Sequence, residues 1–188
     1  MVSTPDVVQE SPRWPRAFRA LRHRSFRLFW FGQIISLIGT WMQIVAHGWL
    51  VYRLTESPFM LGLISVVGLL PVVPISLLAG VLSDRFSRRG LVIATESVLM
   101  VQALTLALLT WLGAIRVWHV IVLSFVLGAA ASLEQPARLA LIADITGEED
   151  LTNAVALNAS TYNTARIVGP AIAGWLVAQI GEAGCFFI

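Results

Sequence analysis

Five apolar runs, each of about 20 residues or more and so long enough to cross a bilayer, take up most of this sequence. They cover roughly 26–52, 58–83, 91–113, 117–141 and 151–180, and a sixth opens at 184 and stops at 188. In hydrocarbon no water is available to pair a free N–H or C=O, so a run of this kind has to close its own hydrogen bonds as a helix. Strands of a membrane β-barrel would instead show segments of about 10 residues alternating in polarity. Composition agrees. Of the 188 residues 57% are hydrophobic and 13% charged, with mean hydropathy +0.78, against about half and a quarter in ordinary soluble domains. The expectation is an all-α integral membrane protein.

The charges orient it. All 13 basic residues are arginine. Arg13, Arg16, Arg19, Arg22, Arg24 and Arg27 precede or open the first run, Arg85, Arg88 and Arg89 follow the second, and Arg138 lies near the end of the fourth. Only Arg53 and Arg116 fall on the other side. By the positive-inside rule the N-terminus is cytoplasmic and the chain is a multi-pass protein of the inner (plasma) membrane. Residues 1–25 form a basic cytoplasmic segment and 26–188 the transmembrane bundle. Within the segment Trp14, Phe18 and Leu21 are spaced as one face of a short amphipathic helix on the inner leaflet, and a disordered basic tail is the alternative. No short apolar region with a cleavage site marks a signal peptide. A net charge of +2, dispersed along the chain, does not suit nucleic acid, and the single Cys185 cannot form an internal disulfide. Neither a phosphate-binding loop, a nucleophile–base pair nor a metal-ligand cluster appears, so no enzyme, cofactor or metal is expected.

Polar residues inside spans are costly and face a cavity or a partner. Arg166 is the deepest charge, about 22 Å into the fifth run. It serves a cavity or coupling role, or bonds neighbouring carbonyls or Asn163. Glu96 and Glu134 sit about 9 Å inside the boundary, and Glu134 either exchanges protons or pairs with Arg138 four residues on. His47 titrates near neutrality or is hydrogen-bonded in packing. Gln33, Gln43 and Asn158 line a cavity or bond between helices.

Two short stretches carry more. In GVLSDRFSRRG (80–90) Gly80 permits close helix approach, Asp84 can pair with Arg88 or cap a helix, and Arg85, Arg88 and Arg89 can hold lipid phosphate. In GPAIAG (169–174) Gly169, Pro170 and Gly174 kink the helix and tighten its packing. The first resembles the signature G-x-L-(S/A)-D-R-x-G-R-(K/R) between helices two and three of the major facilitator superfamily, with Ser87 in place of a glycine. The second resembles the helix-five motif of that superfamily's antiporters, G-P-x-x-G-G, with Ala173 for one glycine. TWMQIVAHGWLVYRLT (40–55) and EQPARLALIADIT (134–146) are similar to a bacterial efflux branch that includes macrolide and enterobactin-type exporters. Helix one lacks an aspartate and Ser124 stands where other drug–proton antiporters have an arginine, so their coupling residues do not transfer.

The resemblance implies the N-terminal six-helix bundle of the major facilitator fold. It would be a 3+3 inverted repeat, faintly echoed in Ala79–Leu82 against Ala173–Leu176 and Gly39 against Gly128, and truncated in helix six. It implies proton-coupled efflux of a small amphipathic molecule, a drug or siderophore. The loop at 80–90 would be a conformational latch, and a missing C-terminal half would supply its partners. The alternative is a truncated, non-transporting membrane fragment.

Overall fold

The computed structural model describes residues 16–77 and 86–187, and all regular structure in it is helical. A short 3-10 helix, Arg16–Arg22, precedes α1 (Arg24–Thr55). Next come α2 (Pro58–Leu69), which resumes after a turn at 70–71 and runs to Leu77, then α3 (Arg88–Trp111), α4 (Val117–Thr146) and α5 (Leu151–Phe187). All five are long and apolar enough to cross a membrane. Their large apolar side chains point outward: Ile35, Phe59, Leu77 and Ile167 are each about three-quarters exposed, which only a lipid solvent tolerates across a whole surface. Trp49, Tyr52, Trp111 and Trp118 are exposed near one end of the bundle, as an interfacial aromatic belt requires.

Local chemistry sets the ends of the helices. Glu56 takes a left-handed conformation (φ 49°) that stops α1, and Pro58 opens α2 where its missing N–H costs nothing. Pro71 interrupts α2 by withholding a donor from the ladder. Ser87 caps α3, its Oγ accepting from the Gly90 N–H at 3.2 Å. The serine that departs from the superfamily signature thus does what a glycine could not. Gly181 breaks α5 with φ 71° and ψ 174°, a conformation that excludes a side chain. The apolar run ending at 180 therefore stops at a true bend. Beyond it Cys185 and Phe186 are buried with Ala46, Leu50 and Val51 of α1 and Leu106 of α3, and Arg53 meets Glu182 at 2.5 Å.

α1 packs along α5, and α4 lies between α2 and α3. Both closest approaches use glycine. A methyl group added at Gly128 of α4 would collide with the Gly68 carbonyl of α2, and one at Gly169 of α5 would strike Trp41 and the Ile38 carbonyl of α1.

The amphipathic helix expected before α1 is found in a different form. Trp14 lies outside the described residues. From Arg16 the chain is a 3-10 turn, kinked at Phe18, that docks on the bundle. Ala20 and Leu21 are buried with Phe26, Ile142, Ala154 and Leu157 while Phe18 stays exposed, so of the expected face Leu21 turns to protein and Phe18 does not. Gly80 and residues 78–83 of the second run lie outside the described residues.

Replacing Gly128 by valine should drive a side chain into backbone that has no rotamer to yield. The thermal unfolding of the detergent-purified protein is expected to fall by about 1–3 kcal/mol of stability, and an unchanged melting curve would contradict the contact.

Candidate functional site

A cavity of about 890 Å³ lies among α1, α2 and α4, touching α3 at Leu99 and α5 at Tyr162. Its α1 wall carries Thr40, Gln43 and His47 among Leu37 and Ile44; α2 gives Ser65, Leu69 and Val72. α4 gives Ser124, Leu127, Ser132, Gln135 and, toward the basic end, Glu134 and Arg138. This is the pattern of a small-molecule site, an apolar wall with a few convergent polar groups.

Behind that wall α1, α3 and α4 are joined by one ionic cluster. Arg138 pairs with Glu134 one turn away on α4, and its Nη2 donates to Glu96 Oε1 of α3 at 3.2 Å. Ser36 of α1 donates to the same carboxylate at 3.1 Å. Arg138 is 13% exposed and Glu134 7%, with Glu96 more open at 38%. Two negative groups therefore share one guanidinium in a poorly hydrated place. The pairing of Glu134 with Arg138 is observed, and Glu96 and Ser36 join it as sequence spacing alone could not show.

The other expected polar residues are distributed as follows. Gln43 donates to Gln102 of α3 at 2.6 Å while facing the cavity. His47 meets Ser124 of α4 at 3.2 Å, both at the cavity wall. Gln33 donates to Asn158 at 2.7 Å, and Trp30 to Thr161 at 2.9 Å, so these residues tie α1 to α5 away from the cavity. Arg166 is exposed near the middle of α5, its guanidinium carbon 5.9 Å from the centre of the Trp41 ring. The Asn163 amide nitrogen donates to the Ala159 carbonyl at 2.9 Å. Gly169 packs on α1, Gly174 meets nothing within 4 Å, and Pro170 is half-buried.

Of the latch residues, Asp84 and Arg85, like Gly80, lie outside the described residues. Arg88 pairs with Asp144 near the end of α4 and donates to the Ala140 carbonyl at 3.4 Å. Arg89 is exposed.

One cluster had not been anticipated. Asp150, immediately before α5, is 1% exposed and receives Arg19 Nε and Arg22 Nε, each at 2.8 Å, and His23 Nε2 at 3.0 Å. Asn153 Oδ1 accepts from the Ala20 backbone N–H at 2.9 Å. Burial alone would push the Asp150 carboxyl up, but the His23 hydrogen bond and the two guanidinium charges outweigh it and hold it below its ordinary value. The signal was an acidic residue at a helix start opposite an arginine-rich segment, but their 127-residue separation hid the pairing. Among the described residues no group of three or more His, Cys, Asp or Glu could hold a metal.

Two outcomes follow. Arg138→Leu strands two carboxylates and should cost about 3–5 kcal/mol, most of it recovered by adding Glu134→Leu and Glu96→Gln; thermal unfolding of the purified protein measures both. The folded Asp150 binds its proton less well than the unfolded chain, so its contribution is complete above the ordinary value of 3.8 and disappears as pH falls through the depressed one. The melting-temperature gap between wild type and Asp150→Asn should accordingly be full at neutral pH and close below pH 3.8.

A family model described as transmembrane secretion effector matches residues 16–188. The chain is 26% identical to the staphyloferrin A transporter of Staphylococcus aureus, covering 86% of this chain and 43% of that protein. It is 27% identical to macrolide efflux protein A of Streptococcus pyogenes (80% and 37%) and 26% to an enterobactin exporter of Shigella flexneri (86% and 39%). It thus spans less than half the length of the curated relatives it matches. No solved structure matches it. The match over nearly the whole chain and the five apolar helices establish that this multi-pass membrane protein belongs to the transmembrane secretion effector family of the major facilitator superfamily, whose members are transporters and not enzymes.

Proposed function

We propose that the chain is the N-terminal bundle of a secondary exporter that moves a small amphipathic molecule outward in exchange for protons. The cavity of about 890 Å³, apolar with a few polar groups, carries this reading. The efflux and export activities named for the relatives support it. A second bundle elsewhere in the gene product would close the cavity, and the two would rock about it. The packing of α1 on α5 and of α4 on α2 fits a 3+3 repeat in which helices one and four, and two and five, are counterparts. The arginine-rich end, carrying the docked N-terminal segment, would face the cytoplasm of an inner (plasma) membrane.

Coupling would fall to the Arg138 cluster. One of its carboxylates can take a proton while the other still matches the guanidinium, so loading changes the charge of the cluster without leaving a bare cation in a dry site. Arg88 and Arg89, with Gly80, Asp84 and Arg85, would form the latch between bundles. Gly169, Pro170 and Gly174 would shape helix five, and Gln43 and His47 would orient the cargo. Asn158 would brace α1 against α5. Nothing in the fold favours the reading as a non-transporting fragment.

The test is flux of fluorescent amphiphiles of each charge type by the full-length gene product in proteoliposomes. One proton exchanged per molecule over a gradient of one pH unit sustains about tenfold accumulation, since both correspond to about 1.4 kcal/mol. Glu96→Gln and Glu134→Gln should each reduce gradient-driven flux while leaving substrate exchange at equal pH. Flux indifferent to the gradient would overturn proton coupling, and no flux of any probe would overturn the exporter reading.

A further inference from the structure

Among the described residues, one charge deep within a span stands outside the Arg138 cluster. Arg166 lies fifteen residues after Leu151 and fifteen before the break at Gly181, so it sits about 22 Å from either end of that helix. It is exposed. Among the described residues no carboxylate lies within ion-pair distance of it, and its one interaction there is with the Trp41 ring. Bare hydrocarbon is the one environment such a group cannot occupy, so its surroundings must be wet or charged.

The neighbourhood indicates which. Tyr162 is one turn from Arg166 on the same face of α5, borders the cavity and meets Trp41 edge-on, ring centres 5.6 Å apart. Gly169 lets Trp41 press against α5, which carries the indole under the guanidinium. An aromatic ring beneath a guanidinium holds its plane but takes none of its five N–H donors. Arg138 has two carboxylates for its donors, and Arg166 has none among the described residues. A planar fork of donors, without a carboxylate among the described residues, fits the two oxygens of a carboxylate or phosphate. The adjoining cavity wall, with Leu37, Ile44 and Leu127, suits an apolar body.

We propose that Arg166, seated on Trp41 beside Tyr162, is the head-group site of the cavity, and that the transported molecule is an amphiphile bearing a carboxylate or phosphate. This rests on the exporter reading above and adds the charge of the cargo.

The experiment uses the full-length gene product in detergent and in proteoliposomes. Its probes are three dansyl amphiphiles with the same apolar body, ending in a carboxylate, a phosphate monoester or a neutral primary amide. Wild type is expected to bind at least one anionic probe about tenfold more tightly than the amide, the loss expected for one charge-assisted pair. The tighter of the two anions identifies the head group. Arg166→Gln should abolish that preference while leaving amide affinity within about twofold, and Arg166→Lys should keep part of it. Should Arg166→Gln fail to fold, Arg166→Lys decides the matter, and an anion preference as large in that variant as in wild type overturns the site. Equal affinity for all three probes, preference for the amide, or a preference that survives Arg166→Gln overturns the anion site while amide transport keeps the exporter reading. Equal affinity together with a lower melting temperature in Arg166→Gln would show that a carboxylate elsewhere in the gene product pairs with this arginine. If wild type neither binds nor moves any probe, both readings fall.

Discussion

A peptide group in hydrocarbon has no water to fall back on, and the rest of this structure follows from that. An unmade backbone hydrogen bond in lipid costs several kcal/mol, so the described helices are interrupted or ended mostly where a proline or glycine disfavours regular geometry. Pro71 interrupts α2, Gly181 breaks α5, and Gly147 with φ 71° ends α4. With the backbone closed on itself, the helices attract one another through packing. That is why glycines sit at the two tightest contacts, α2 on α4 and α1 on α5.

The same solvent governs the side chains. Hydrogen-bonded pairs such as Gln33–Asn158, Trp30–Thr161 and Gln43–Gln102 join neighbouring helices. Charges are matched more strictly still. Arg138 is shared by Glu96 and Glu134, Arg88 meets Asp144, and Arg53 meets Glu182. Against that rule Arg166, which among the described residues meets only the Trp41 indole, stands out. A charge without a carboxylate partner among the described residues, next to Tyr162 at the cavity edge, is what motivates the head-group site proposed above.

At the basic end the economy is different. Asp150 gathers two arginines and a histidine from a segment more than a hundred residues earlier and ties the start of the chain to the α4–α5 turn. This joins α1, α4 and α5 at one end, as Gly169 and the Gln33–Asn158 pair join α1 and α5 along their length. Such bracing is compatible with the rigid-body rocking proposed above.

Much of this was legible in the residues. The five spans, the all-helical membrane class, the end of the fifth apolar run near 180 and the Glu134–Arg138 pair follow from hydropathy and from 3.6-residue spacing, because lipid fixes helix length and a helix fixes its own near neighbours. Contacts between helices were not legible. Ser36 and Glu96 are 60 residues apart, and His23 and Asp150 are 127 apart; an apolar run says nothing about which face turns toward which neighbour. His47 and Gln43 stood out as polar, but only packing decided that both reach the cavity wall while Asn158 braces α1. The amphipathic spacing before α1 suggested a leaflet, and the bundle took up Ala20 and Leu21 instead. The sequence by itself determined that the chain is helical and lives in lipid, since both depend on local composition. Tertiary structure decided which charges are matched among the described residues and which polar groups reach the cavity, because that depends on distances between helices that no one-dimensional pattern encodes.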